Sequence, residues 1–129
     1  MNFKDKEAIY LQIADYVSEH ISLGKWLPEA KIPSVRELAT ELQVNPNTVM
    51  RTYEYLQQKE IVFNKRGLGL FVAADAIPQI NAIRRERFLQ QELPDFLNSL
   101  YLLDIQPQQI LKYYEDFKKT KDIQNENKQ

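Results

Sequence analysis

The sequence predicts a mainly α fold carrying one small β-hairpin, followed by a two-helix appendage at its C-terminal end. Three observations, all within Ile32–Val72, predict the first part. Ser34-Val-Arg-Glu37 has the spacing of a capping box. The Ser34 hydroxyl takes an unpaired N–H of the new helix, and Glu37 reaches back to the Ser34 amide. Asn45-Pro46 is a second helix start. Asn is a good N-cap, and Pro at the first helical position loses an N–H that has no partner anyway. Lys65-Arg66-Gly67-Leu68-Gly69 then separates two apolar, β-prone runs, as the tip of a hairpin does.

The elements follow in order. Residues 1–6 are polar and expected to be loosely ordered. Residues 7–24 read as a helix: Ile9, Ile13, Val17 and Ile21 recur every four residues with Ala14 beside them, and Gly24 suits the residue just past its end. Lys25–Lys31 is a turn, and Ile32-Pro33 keeps the chain extended before the capping box. The second helix spans 35–42, with Val35, Leu38, Ala39 and Leu42 inward. Val44 is expected to staple against Val49. The third helix spans 46–59, with Val49, Tyr53 and Leu56 inward and Asn47, Met50, Arg51, Glu54, Tyr55 and Gln58 outward. The short link between these helices has the length of a helix-turn-helix connection. Strands are expected near 61–65 and 69–73, then a joint over Ala74–Pro78.

From Gln79 a broad apolar face runs for about 25 residues and includes Ile80, Ile83, Phe88, Leu89, Leu93, Phe96, Leu97, Leu100 and Leu103. Pro94 should kink or split it near 90–94. Asp104-Ile105-Gln106 is a break, and Pro107 starts a last helix striped by Ile110, Leu111, Tyr114 and Phe117. From Lys118 the chain is polar and expected to fray. This gives domains at 1–76, 77–120 and a polar tail at 121–129. Two such helices cannot build a core of their own in roughly 50 residues. A second copy of the same element is the favoured partner, as in a symmetric homodimer. Folding back on the first domain is the competing arrangement.

Composition narrows the function. The chain has 129 residues, one Trp, seven Tyr, six Phe and no Cys. Without cysteine there are no disulfides, thiolate metal sites or cysteine nucleophiles. No apolar run reaches the ~18 residues of a membrane span, and the N-terminus lacks a secretory apolar region, so a cytoplasmic protein without a membrane partner is expected. His20, the one histidine, has no ligand set near it, so no metal is assigned. Neither a glycine-rich phosphate loop nor a nucleophile triad nor a paired-carboxylate site is visible. No enzyme activity and no cofactor are expected. Net charge is −1. Residues 1–76 hold nine Lys and Arg against ten Asp and Glu, and residues 77–129 hold eight of each. Any contact with nucleic acid must therefore come from local clusters, with weak non-specific binding.

Pro33-Ser-Val-Arg-Glu-Leu-Ala39, Val44-Asn-Pro-Asn-Thr-Val49, Arg51, Tyr53, Leu56 and Arg66-Gly67-x-Gly69-x-Phe71-Val72 together resemble the GntR-family winged helix-turn-helix regulators, from about Ile9 to Val72. The short C-terminal remainder resembles the YtrA-type subgroup, in which a small helical appendage makes the dimer. Four positions depart from the family pattern. Gln43 stands where a glycine usually turns the chain, Glu29 follows Pro28 in place of Gly, Gln58-Lys59-Glu60 lacks the glycine before the first strand, and Leu68 replaces a wing arginine.

The resemblance implies a homodimeric, sequence-specific regulator of double-stranded DNA, with repression its commoner sign. The recognition helix, about 46–59, would enter the major groove and the wing, about 65–69, would meet the backbone or minor groove. Asn47, Thr48 and Arg51 are the candidate base-reading residues, since Asn pairs with adenine and Arg forks onto guanine. Arg36 opposes the macrodipole at the second position of its helix, which suits a nearby phosphate or base edge. Lys65, Arg66 and Gly67 are the wing candidates. Plainer roles compete: helix capping for Asn47 and Thr48, a solvated charge or a pair with Glu54 for Arg51, a salt bridge for Arg36, and an ordinary basic hairpin tip. Ser34 is expected to cap rather than touch DNA. Tyr113-Tyr114 reads as core or interface, and Arg84–Arg87 as a solvated face. An alternative function is a winged-helix protein–protein docking module without specific DNA binding. A third adds a small-molecule effector between the C-terminal helices, in a pocket lined by Phe88, Phe96 or Tyr101.

Overall fold

The computed structural model describes residues 7–127, so the expectation for residues 1–6 and the last two residues of the tail lies outside it. The elements are α1 Ile9–Ser22, α2 Val35–Leu42, α3 Pro46–Gln58, β1 Val62–Lys65, β2 Gly69–Val72, α4 Ala76–Arg87, a π-helical turn Phe88–Glu92, α5 Leu93–Leu102 and α6 Pro107–Asn127. The chain divides into two compact units, Met1–Arg84 and Arg85–Gln129.

In the first unit, Ile13, Val17 and Ile21 of α1 meet Leu38, Val49, Leu56, Ile61 and Val72 in one buried core. Ile9 is exposed, at the first helical position and beyond the reach of that core. Ala8 is extended, so α1 starts two residues later than expected. Gly24 at φ +76 ends it, where a side chain would be strained. Ser34 and Glu37 form the capping box in both directions, at 3.0 and 3.1 Å. Asn45 Oδ1 accepts the Asn47 amide at 2.8 Å, with Pro46 beside it. Val49 is buried and Val44 packs half-buried against the same core.

The hairpin is antiparallel, with Val62 opposite Val72 and Lys65 opposite Gly69. A third segment extends it. The Glu29 amide donates to Val72, the Ile32 amide to Leu70, and the Val72 amide to Ala30, so the turn before α2 runs along β2. Tyr53 reaches from α3 to donate its hydroxyl to the Pro33 carbonyl at 2.7 Å, fastening that turn from the other side.

Four expectations are corrected. Ala74–Pro78 is not a joint, because α4 begins at Ala76. Pro78 is its third residue, where a helix has no carbonyl to receive the missing N–H. Ala76 and Ile80 are buried in the first core, and Arg84 pairs with Glu19 at 2.9 Å, so the first unit continues past residue 76 to Arg84. Arg84 is therefore not a purely solvated charge. Finally, the polar stretch from Lys118 does not fray but continues α6 to Asn127. Lys118 stands over Tyr114 and Lys121 over Phe117, each 5.6 Å from the ring centroid, and these pairs one turn apart favour helix.

In the second unit the break at Pro94 takes the form of the π-helical turn. The Leu93 amide bonds to Phe88, five residues back. Widening the turn moves the Gln90 carbonyl away from the Pro94 ring, which would otherwise clash with it. Asp104 at φ +52 ends α5, and Gln109 Oε1 accepts the Gln106 amide at 2.9 Å to start α6. No residue of the π-helical turn, α5 or α6 is buried. Phe88, Phe96 and Tyr101, the residues expected to line an effector pocket, are all exposed in the single chain. Among the described residues, no helix is long and apolar enough to cross a membrane.

Candidate nucleic-acid interface

Helix α3 packs its Val49, Thr52, Tyr53 and Leu56 face into the core, which leaves the Asn47, Met50, Arg51 and Glu54 side exposed. Asn47 and Arg51 lie one turn apart and share a face. The cap explains only part of this edge. Asn45 binds the Asn47 amide, but the Asn47 side chain makes no hydrogen bond among the described residues. The Thr48 amide is held by the Asn45 carbonyl at 2.9 Å. Arg51 does not pair with Glu54. Its guanidinium carbon stands 4.0 Å from the centre of the Tyr10 ring on α1. Asn47, Thr48 and Arg51 thus gather with Ala8, Ile9 and Tyr10 around one shallow depression.

Arg36 is the second residue of α2 and exposed, and it makes no ion pair among the described residues. Its neighbour Glu37 has its carboxyl pKa lowered by the Ser34 backbone amide and hydroxyl, so the capping carboxylate stays charged.

At the hairpin tip, the Leu68 amide closes onto the Lys65 carbonyl at 2.9 Å. Gly67 at φ +80 turns the chain. Gly69, at φ +107, also lies against Lys31, whose Cε would stand 3.1 Å from an added Cβ. Lys65 Nζ stands 4.5 Å from the Phe71 ring centre, and Lys65 and Arg66 are both exposed at the tip. The candidates therefore form two groups, Asn47–Thr48–Arg51 on α3 and Lys65–Arg66–Gly67 on the hairpin, with Arg36 on α2.

Two neighbours of these groups are not evident from the sequence pattern. Tyr10 stands three, four and seven residues before Ile13, Ala14 and Val17, on the buried stripe of α1 itself, so periodicity marks it as core and gives no sign of its place beside the outward edge of α3. Lys31 gives no local sign of lying beside the tip. His20 is held by aromatic packing: its Nδ1 is 2.9 Å from the Tyr16 carbonyl, and its ring lies between those of Tyr16 and Trp26.

A model of the bacterial regulatory proteins of the gntR family matches residues 9–72. The chain is 34% identical to the uncharacterized HTH-type transcriptional regulator YhcF of Bacillus subtilis, over 89% of this chain and 93% of that protein. The chain belongs to the GntR family. It is also 41% identical to the HTH-type transcriptional repressor YtrA of Bacillus subtilis, over 53% of this chain and 52% of the repressor. A solved GntR-family structure from Bacteroides thetaiotaomicron superposes with a TM-score of 0.77 at 48% identity, covering 88% of this chain and 99% of that one. AraR(DBD) in complex with operator ORR3 superposes with a TM-score of 0.51 at 29% identity, over 57% of this chain and 88% of that domain. This GntR protein is therefore a winged helix-turn-helix, DNA-binding transcription regulator and not an enzyme. Within it, α2 and α3 are the helix-turn-helix pair and the β1–β2 hairpin is the wing.

Proposed function

We propose that this GntR regulator is a homodimeric repressor that reads a pseudo-palindromic operator, one half-site per protomer. Helix α3 lies in the major groove with Asn47, Thr48 and Arg51 at base edges. Arg36 meets a phosphate, and the wing brings Lys65, Arg66 and Gly67 to the backbone or minor groove. The observation that carries this reading is the exposed Asn47–Arg51 edge at the N-terminal half of a well-capped helix, its polar side chains committed to no partner within the helix. The sign of regulation follows YtrA, a repressor in name. The helices from Arg85 onward join two copies, because their apolar side chains find no burial in the single chain.

With a net charge of −1, bulk attraction adds little and base contacts carry more of the affinity. Selection of bound duplexes from random DNA, at stated salt, tests this. A two-fold symmetric consensus is the expected result. Arg51→Ala should then lose roughly 1–3 kcal/mol of discrimination at one position of each half-site, while light scattering reports an unchanged mass. Failure to enrich any sequence would favour the docking-module alternative.

A further inference from the structure

We infer that Tyr10 is a positioning residue for base readout by Arg51, so that the first helix of the domain contributes to sequence preference through a side chain on the third. The inference rests on the reading of α3 given above. The Arg51 guanidinium stands over the Tyr10 ring, 4.0 Å from its centre, where the negative face of the ring attracts a cation. Tyr10 is itself held at two points. Its carbonyl accepts a hydrogen bond of 2.7 Å from Thr52 Oγ1, and Thr52 is fully buried. Its ring meets that of Tyr55 edge-on, with centroids 6.2 Å apart and planes at 75°. Thr52 and Tyr55 belong to α3, as Arg51 does, so the recognition helix anchors the platform on which its own arginine rests.

An exposed arginine samples many rotamers and must lose them to form a two-pronged contact with a base. The ring restricts that freedom in advance. It engages the cation as a whole and takes up no N–H donor, and no hydrogen bond among the described residues occupies the guanidinium edges. The depression beside the pair, lined by Ala8, Ile9, Asn47 and Thr48, leaves space next to the guanidinium for the edge of a base.

The probes are the duplex selected by the wild-type protein from random DNA and a scrambled duplex of the same length. Tyr10→Leu should lose about three- to thirtyfold in affinity for the selected duplex and change little on the scrambled one. Tyr10→Phe retains the ring and should stay within about twofold of wild type. In an Arg51→Ala background, Tyr10→Leu should cost nothing further. Thermal melts accompany each variant, and Tyr10→Met, which fills similar space without a ring, replaces Tyr10→Leu if that variant does not fold. Unchanged or tighter binding to the selected duplex overturns the inference. So does an equal loss on both duplexes, or a loss that persists without Arg51. If the wild type selects no sequence, the DNA reading falls and this inference falls with it.

Discussion

Tyr53 shows how one buried polar group ties distant pieces of the domain together. Its ring is core, and its hydroxyl bonds to the Pro33 carbonyl at 2.7 Å. Tyr53→Phe keeps the packing and removes the bond, which should cost about 1 kcal/mol in urea unfolding. A pH signature accompanies it. Burial first, then the carboxylates of Glu37 and Glu41, raise the Tyr53 phenol above the ordinary tyrosine range. The folded pKa is the higher one, so this contribution is complete below the unfolded value near pH ~10 and is lost as pH rises above it. Wild-type stability should therefore fall on the alkaline side more steeply than that of Tyr53→Phe. Equal slopes would mean that the phenol is not held neutral by the fold.

Each of the turns flanking α2, and the one after α3, rests on a residue other than glycine with positive φ. Glu29, Gln43 and Glu60 have φ of 68°, 56° and 60°. These are the positions where the family resemblance expects glycine, and the backbone keeps the geometry that glycine would adopt without strain. A Cβ in this region costs roughly 1–2 kcal/mol, part of which glycine returns through its larger loss of chain entropy. Gln43→Gly should thus raise stability by up to about 1 kcal/mol, seen as a higher melting temperature. A lower one would show that the Gln43 side chain does more than pass through a strained turn. The prolines make a related point. Pro78 sits in the first turn of α4 and costs it nothing, whereas Pro94 follows a running helix and the chain widens to a π-helical turn ahead of it.

The two units have opposite relations to their own surfaces. Met1–Arg84 encloses a core, whereas the helices of Arg85–Gln129 bury none of their residues in the single chain. A chain ending at Arg84 keeps Ile80 and the Arg84–Glu19 pair, and should melt cooperatively and scatter light as a monomer. The full chain should scatter as a dimer and bind its operator far more tightly than the short one, because two linked half-sites reinforce each other. A monomeric full chain would remove the role assigned to the helices after Arg85. Ending the chain at Ala76 instead would strip Ile80 from the core and confuse loss of folding with loss of dimerisation.

What residue order determines by itself is local. Ser34 with Glu37, Asn45 with Pro46, and Gly67 with Gly69 act within four residues through hydrogen bonds and backbone sterics, so the helix starts and the wing are legible in the sequence alone. Asn47, Thr48 and Arg51 are recognisable as an outward edge because helical periodicity places them there. Other features depend on packing between segments far apart in the chain. The Thr52 hydroxyl meets a carbonyl 42 residues away, and the turn before α2 joins the hairpin as a third segment. Arg51 finds a ring on another helix instead of Glu54 on its own. Periodicity tells which face of a helix turns inward, but which side chain waits across the gap is set by how α1 and α3 pack, and that is decided only when the core closes.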